Sequence, residues 1–521
     1  MSTELADQRD DSPYADEPSA RRAPWLLVGG AGLLVLGLVT GVTYGVGQLS
    51  GGGAQPEEAL PAGAFGFVKV DLDPPAGQKI DGFRFLRKFP ALRERLGTED
   101  LREVVFDVFA DGVGGWDDVD FDSQVAPWMG KRIGIAAYPP SETDDVFPDP
   151  TVVVAVQVTD AAQAQQGLER LADLEAAEHS GPGTSPRSAG RLGFVVTGDY
   201  ALLAETQKLA DKAAHDAEAS QLADDETLAS DLAAAGDGVS AAWLDMDAAV
   251  EGLGRTALGF GGLGGITGGL AGGGGRSTYV AGFDGPDVLQ VTGRVTGADS
   301  AGWATHPVEG VTDLPASSIL AVGLADGDEL VPRAFESLRK AFESAEAMPS
   351  EESFDEMVAG AEQELGLELP DDLATLLGDN LVAALDAGSS DSVEVGARVS
   401  TDVARAERVL DALQAGDSGD WLLTRERVGD DLVFASTPMQ ASRLAENGTL
   451  GEMASFRAAL PDVGEADAVV WLDVKGLWTT LFAGSFGGQM DENIEPIDGV
   501  GLTVTSRDQG NASLRLRLVA H

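Results

Sequence analysis

The side chains that most often carry out chemistry are few in this sequence and lie far apart. Its four histidines, His179, His215, His306 and His521, never fall within one helical turn of each other, so the sequence predicts no histidine metal site. The chain contains no cysteine, which excludes disulfides, thiolate zinc sites, iron–sulfur clusters and cysteine nucleophiles. No nucleophile-elbow, zinc-protease or phosphate-loop motif occurs either.

Three aspartates, Asp118, Asp120 and Asp122, alternate along the chain as the first ligands of a calcium-binding loop do. The pattern fails at its two strictest positions, because Ser123 replaces the turn glycine and Met129 stands where the bidentate glutamate belongs. The sequence therefore predicts a solvated acidic turn here and no calcium site.

Another pair of carboxylates, Asp71 and Asp73, lies at the end of a predicted strand, beside Pro74 and Pro75. Paired carboxylates can act as general acid and base, but the sequence identifies no partner group for them. We therefore predict a capped turn at this position. The sequence thus assigns no catalytic, cofactor-binding or metal-ligating residue, and it favours a non-enzymatic protein over an enzyme.

Acidic residues dominate the composition of the chain. Its 521 residues include 86 acidic and 35 basic side chains, which give a formal net charge of −51. Such a surface repels phosphate backbones and argues against nucleic acid as a partner. The hydrophobic fraction of 43% is ordinary for a globular protein, and the length suggests several domains. We expect the acidity to keep the protein soluble, with a cation-binding surface or a basic partner as the alternative.

A continuous apolar segment near the N-terminus predicts a membrane-spanning helix at residues 23–49. No charged residue occurs between Ala23 and Pro56, and a helix of this length can cross a bilayer. Arg21 and Arg22 precede the segment, so the positive-inside rule puts the N-terminal tail in the cytoplasm and the remainder outside. A cleaved signal peptide is the alternative, which the length of the apolar run opposes.

Within the predicted helix, Gly37, Gly41 and Gly45 recur every fourth residue and therefore share one face. This spacing lets two helices pack closely, so it would suit a homodimer formed through the transmembrane helix. Glycine is also common in membrane helices in general, and that is the alternative explanation.

One stretch occurs twice and organises the rest of the chain. Residues 239–247 and 466–475 each contain a short apolar run, a tryptophan (Trp243 or Trp471), a leucine and then an aspartate at a helix N-cap position. The predicted elements on either side follow the same order in both copies. Because strands and helices do not alternate strictly, the sequence predicts the α+β class, with a single N-terminal transmembrane helix followed by two duplicated α+β units.

The composition of the chain also predicts where these parts begin and end. The predicted parts are a disordered cytoplasmic tail at 1–22, the transmembrane helix at 23–49, a linker at 50–59, the first α+β unit at 60–297, a second linker at 298–313 and the second α+β unit at 314–521.

Residues 252–275 of the first unit are rich in glycine and have no counterpart of equal length in the second. Phe260, Leu263, Ile266 and Leu270 are interleaved with the glycines without helical or strand periodicity. We predict a loop whose apolar side chains contact the membrane or a partner, with a passive linker as the alternative.

Several short motifs follow the predicted transmembrane helix. They are Val70-Asp71-Leu72-Asp73-Pro74, Gly77-Gln78-Lys79-Ile80, Phe85-Leu86-Arg87-Lys88-Phe89-Pro90 and Pro127-Trp128-Met129-Gly130-Lys131-Arg132-Ile133-Gly134. In this arrangement the chain resembles the actinobacterial membrane-anchored proteins catalogued as domain of unknown function 3352. The resemblance covers most of the chain after the helix and implies a single-pass envelope protein, but it implies no activity and no functional residue.

These observations predict a single-pass protein of the cell membrane with a cytoplasmic N-terminus and an extracytoplasmic bulk. We expect it to be a binding or structural component of the cell envelope, without a cofactor. The alternative is a hydrolase or transferase that acts on envelope polymers or lipids through a site that the sequence does not reveal.

Overall fold

In the computed structural model, the described part of the chain is built around one antiparallel sheet of 16 strands. The structure describes residues 53–521 apart from internal gaps. The gaps are 73, 75, 91–99, 101, 104–105, 108–109, 111–115, 117–118, 141–149, 179–191, 237, 254–273, 299–301, 344–352, 388–392, 417–422, 483–491 and 507. None of the helices in these described ranges is long and apolar enough to cross a membrane, and the predicted spanning segment 23–49 lies outside them.

The strands fall into two consecutive sets of eight. The first set is β1 (Gly66–Asp71), β2 (Met129–Tyr138), β3 (Thr151–Val158), β4 (Gly193–Thr197), β5 (Tyr200–Ala204), β6 (Ser240–Asp245), β7 (Arg276–Phe283) and β8 (Val288–Thr296). The second set is β9 (Ser318–Ala325), β10 (Asn380–Ala387), β11 (Val393–Ser400), β12 (Thr424–Val428), β13 (Asp431–Ala435), β14 (Ala468–Asp473), β15 (Ile497–Thr505) and β16 (Asn511–Ala520). We call residues 53–298 the first half and residues 302–521 the second half.

Helices cover both faces of the sheet. In the first half they are α1 (Ala76–Leu86), α2 (Phe121–Gln124), α3 (Ala161–Glu178), α4 (Gln207–Ala219), α5 (Glu226–Ala235) and α6 (Met246–Leu253). In the second half they are α7 (Gly327–Glu343), α8 (Phe354–Leu365), α9 (Asp371–Leu377), α10 (Val403–Gly416), α11 (Pro438–Ala445), α12 (Ala454–Ala459) and α13 (Val474–Leu477). Short 3-10 turns lie at Pro56–Glu58, Leu222–Asp224, Val311–Asp313, Leu450–Glu452 and Val463–Glu465, and a π turn follows at Trp478–Phe482.

The strand order corrects the predicted fold class. Across the sheet it runs β12-β13-β11-β10-β9-β14-β15-β16-β8-β7-β6-β1-β2-β3-β5-β4, so the second half shows the order of the first in reverse. The prediction of an α+β chain made of two separate units is wrong, because β8 and β16 pair and merge all the described strands into one antiparallel sheet. On its own, each half would leave backbone groups of its edge strand, β8 or β16, unpaired. The pairing of β8 with β16 satisfies these groups.

An approximate twofold axis relates the two halves at this seam. Strands β8 and β16 occupy matching places in their halves and pair over nine residues, with Thr292 opposite Arg515 at the middle. The axis therefore passes between these two residues. Such self-complementary pairing of equivalent edges is the geometry of a twofold dimer, here contained within one chain.

The repeated tryptophans lie on matching strands. Trp243 of β6 pairs with Phe67 of β1, and Trp471 of β14 pairs with Ala321 of β9, the strand that matches β1. Both tryptophan side chains are buried on the same face of the sheet. The aspartates that follow them cap the next helix, as the sequence predicts: Ala248 donates its backbone N–H to Asp245 at 3.0 Å, and Gly476 donates to Asp473 at 2.9 Å.

Polar side chains close the two outer edges of the sheet. At β4, the Gln207 side-chain amide donates to the Phe194 carbonyl at 3.0 Å and accepts from its N–H at 3.2 Å. At β12, Arg425 and Arg427 pair with acidic residues of α10. These contacts block further strand pairing, which is how edge strands commonly avoid aggregation.

The surroundings of the two tryptophans differ in one respect. Asp231 of α5 accepts from Trp243 Nε1 at 3.0 Å and from Arg276 Nε at 2.7 Å. In the second half, Ala459 stands the same 12 residues before Trp471 as Asp231 does before Trp243, and Trp471 Nε1 is buried without a partner among the described residues. The polar network is therefore specific to the first half.

Replacing Asp231 by alanine is expected to destabilise the protein by about 2 kcal/mol, because two partly buried donors lose their acceptor together. As a control, Asp216→Ala removes an exposed pair with Lys212 on α4 and should cost less than about 0.5 kcal/mol. Chemical denaturation of both variants checks this. Equal stability losses would show that Asp231 contributes no more than a surface charge.

Candidate metal centre

A histidine and two aspartates from distant parts of the chain meet at one end of strands β9 and β10. His306 lies on the joining segment between β8 and β9, Asp326 directly follows β9, and Asp379 directly precedes β10. Because β9 and β10 are antiparallel neighbours, the end of one lies beside the start of the other. The sheet therefore positions both carboxylates, and the joining segment brings the imidazole to them.

The three side chains have a spacing that suits ligands of one ion. One potential ligand atom from each lies within 4.8 Å of the other two. His306 Nε2 is 3.3 Å from Asp326 Oδ1 and 3.4 Å from Asp379 Oδ1. Both distances exceed the usual range of about 2.7–3.2 Å for N–H···O hydrogen bonds. Ligands that surround a zinc ion tetrahedrally at about 2.0–2.1 Å lie roughly 3.3–3.4 Å apart.

The orientation of the imidazole also suits a metal ligand. His306 Nδ1 lies 3.0 Å from the Pro307 carbonyl oxygen, which can only accept, so Nδ1 carries the proton. In the neutral ring the lone pair is then on Nε2, the atom that faces the two carboxylates. Metal-bound histidines usually donate their other N–H to a carbonyl or carboxylate in this way.

Asp326 is the most firmly held of the three groups. Its side chain is buried and its Oδ2 accepts from the Thr305 hydroxyl at 2.9 Å, while its other oxygen, Oδ1, faces His306. Its backbone has a φ of 48°, a left-handed conformation that aspartate tolerates better than most residues. Its carbonyl accepts from Glu329 and Leu330 at the start of α7. The carboxylate therefore has one oxygen fixed by the protein and one directed at the cluster.

Negative charge is concentrated around the cluster. Burial, and then the carboxylates of Asp379 and Asp326, raise the pKa of Asp328 on the first turn of α7. The hydrogen bond to Pro307, and then the same two carboxylates, raise the pKa of His306. The carboxylates of Asp326 and Asp379 therefore favour positive charge at this place, either as a proton on His306 or as a metal ion.

The donor set distinguishes between classes of ion. One imidazole and two carboxylates suit zinc or a similar divalent transition metal. Calcium prefers six to eight oxygen ligands, and magnesium keeps most of its water. Three protein ligands also leave one position of a tetrahedral ion open, to be filled by water or by a group from outside.

Sequence patterns did not point to this cluster. His306 looked isolated because its partners, Asp326 and Asp379, lie far along the chain and only strand pairing brings them together. The one usable signal was local: Asp326 and Asp379 each stand immediately next to a mostly apolar run, at 318–325 or 380–387. Without the pairing of β9 with β10, that signal cannot be read as a site.

The remaining residues singled out from the sequence do not join this cluster. Asp120 accepts from the Ser123 N–H at 2.9 Å and caps α2, in keeping with the predicted acidic turn. Asp71 lies 3.2 Å from Arg132 Nε. The positions outside the described residues are Asp73, Asp118 and His179, the helix-contact glycines Gly37, Gly41 and Gly45, and the loop residues Phe260, Leu263, Ile266 and Leu270.

Comparison with protein-family models, with curated proteins and with solved structures finds no match to this chain. The resemblance noted from the sequence motifs therefore stays a prediction.

Proposed function

We propose that this chain is a cell-envelope binding protein, anchored in the cell membrane by its N-terminal segment, that holds a divalent transition-metal ion such as zinc at His306, Asp326 and Asp379. The observation that carries the metal site is the spacing of His306 Nε2 from the two carboxylate oxygens, which matches the separation of ligands around one such ion.

The proposed location is supported by the sequence. The charge-free run from Ala23 to Pro56 is long enough for a spanning helix, and the arginine pair before it favours a cytoplasmic N-terminus. The absence of cysteine suits a protein exposed to an oxidising environment. We propose a binding or structural role for the protein, because no nucleophile motif occurs in its sequence.

A bound ion would fasten the joining segment between β8 and β9 to the ends of β9 and β10. That segment already packs there: Trp303 is buried, and its Nε1 donates to the Ala325 carbonyl at 3.3 Å. Thr305 also donates to Asp326, and the ion would add an attachment from His306 to both strand ends. Metal binding and the stability of the second half are therefore coupled.

The full-length chain, stripped with a chelator and titrated with zinc chloride in excess calcium, is expected to bind zinc at one site that His306→Ala weakens at least about 10-fold, because a direct ligand is lost. Isothermal titration calorimetry measures the affinity, and elemental analysis after dialysis counts the bound ions. Excess calcium suppresses non-specific binding to the acidic surface.

The matched control is His215→Ala, which removes an exposed histidine of α4. Asp379→Asn provides a second ligand variant whose side chain is largely exposed and tolerates substitution. Equal zinc affinity in the His306, Asp379 and His215 variants would refute the proposed site.

A further inference from the structure

A fully buried carboxylate, Asp386, lies near the end of β10 in the second half. Ser318 of β9 and Glu394 of β11 lie opposite it on the two neighbouring strands, and both are also buried. Helix α11 covers this place, where the fully buried Gln440 donates its side-chain Nε2 to Asp386 Oδ2. Ser317 donates its hydroxyl to Asp386 Oδ1 at 3.0 Å. We call Asp386, Glu394, Ser318 and Gln440 the Asp386 cluster.

The cluster carries more negative charge than its cationic neighbour balances. Arg443 of α11 has its Nη1 atom 3.3 Å from Glu394 Oε2, so it neutralises one of the two carboxylates. In the described part of the chain, the groups that contact Asp386 are the uncharged side chains of Gln440 and Ser317. A buried charge without a counter-charge is strongly unfavourable. One unit of positive charge would balance the cluster.

Two oxygen atoms of the cluster are buried without a hydrogen-bond partner among the described residues, namely Gln440 Oε1 and Ser318 Oγ. Gln440 Oε1 belongs to the same amide group that contacts Asp386, and turning that amide around would place its oxygen against the carboxylate. Side chains directly opposite each other on paired strands, as Ser318 and Asp386 are, have Cβ atoms about 4.5–5.5 Å apart. Neutral oxygens beside an unbalanced carboxylate are the ligands that hard cations prefer.

The first half shows the same place with a side chain that satisfies itself. Tyr138 of β2 matches Asp386, since each lies two residues after the alanine, Ala136 or Ala384, that pairs with the matching residue of β1 or β9. The Tyr138 hydroxyl donates to the Pro61 carbonyl at 2.8 Å. The second half therefore replaces a group that is satisfied within the chain by a charge that is not balanced there.

The neighbouring positions differ between the halves in the same sense. Ser318 matches Ala64, because both stand three residues before the partners of the repeated tryptophans. Gln440 matches Leu209, because each is the third residue after the threonine that caps α11 or α4. Neither Ala64 nor Leu209 has a side-chain oxygen. The two unpartnered oxygens thus occur only in the half that also has the buried carboxylate.

The charge and the donor atoms select the class of ion. A single excess negative charge is balanced by a monovalent cation. Calcium takes six to eight oxygen ligands, and magnesium keeps several of its waters, which a fully buried carboxylate does not favour. The cluster offers no imidazole or thiolate, so it does not suit the transition metals that prefer those ligands.

We infer that the second half binds a monovalent inorganic cation, sodium or potassium, between Asp386, Ser318 and Gln440. The ion would balance the Asp386 charge and give Gln440 Oε1 and Ser318 Oγ a partner. This inference is independent of the site at His306, which differs in ligands and in place.

The test compares melting temperatures of the full-length chain in sodium, potassium and choline chloride at equal ionic strength, with divalent ions removed by a chelator. Choline is a monovalent cation too large for a buried site. We expect the melting temperature, followed by circular dichroism, to be at least about 2 °C higher in sodium or in potassium than in choline, because the ion binds only the folded state. The salt that gives the rise identifies the ion.

Asp386→Asn removes the charge but keeps the size of the side chain and one oxygen. This variant should melt at one temperature in all three salts, and in choline it should be at least as stable as the natural chain, because no buried charge is left unbalanced. Ser318→Ala, which introduces the residue of the first half, removes one oxygen ligand. It should raise the sodium or potassium concentration needed for half of the effect by about 10-fold.

The matched control is Asp216→Asn, which makes the same change at an exposed carboxylate of α4 and should keep the full response to the cation. Equal melting temperatures of the natural chain in the three salts would overturn the inference, because a water molecule or a proton would then complete the cluster. A response that persists in Asp386→Asn would also overturn it, since the cation would then act on the acidic surface in general.

Discussion

Replacing Leu516 by proline is expected to break the link between the two halves. Leu516 lies in β16, which pairs with β8 on one side and β15 on the other, opposite Val291 and Leu502. Proline cannot donate to the ladder and is poorly tolerated in an interior strand. The lost hydrogen bond and the disrupted apolar contacts should together cost about 3 kcal/mol or more. Calorimetry should show one unfolding transition for the natural chain and two for the proline variant, one for each half.

The control for this experiment is Leu516→Val, which keeps an apolar, strand-favouring side chain and the backbone N–H. It should retain one transition at nearly the original temperature. If the proline variant also unfolds in one unshifted transition, the seam between β8 and β16 contributes little to cooperativity.

The sequence could predict strands and helices within each half, but not that β8 and β16 pair and join the two halves in one sheet. Alternation in β16, where Leu514, Leu516 and Leu518 are separated by Arg515 and Arg517, identifies a strand with two different faces. It does not identify the neighbour, because pairing is made by backbone groups that every residue shares. The outer strand β12 has charged residues throughout its middle, whereas β16 has an apolar residue at every second position. That contrast was the available signal that β16 is not a free edge.

The candidate metal centre was beyond sequence analysis for a related reason. His306, Asp326 and Asp379 lie on three separate segments, and their meeting depends on the antiparallel register of β9 with β10. A short-spacing motif such as two histidines on one helix turn can be read from the chain directly. A site assembled at the ends of paired strands needs the topology first. The N-cap aspartates after Trp243 and Trp471 were predicted correctly, because a helix cap depends only on its nearest neighbours in the chain.

Replacing Trp471 by alanine is expected to destabilise the protein by about 3–5 kcal/mol, because Trp471 is fully buried at the centre of the second half. Its ring packs edge-on against Phe456 with centroids 5.5 Å apart, and it fills the space above Gly499, where an added Cβ would lie 2.2 Å from Trp471 Cη2. Trp471→Phe should cost much less, about 1–2 kcal/mol, since the indole N–H has no partner to lose. At the matching position, Trp243→Phe should cost more than Trp471→Phe, because it removes the hydrogen bond to Asp231. Chemical denaturation of the three variants tests this order, and a larger loss for Trp471→Phe than for Trp243→Phe would contradict it.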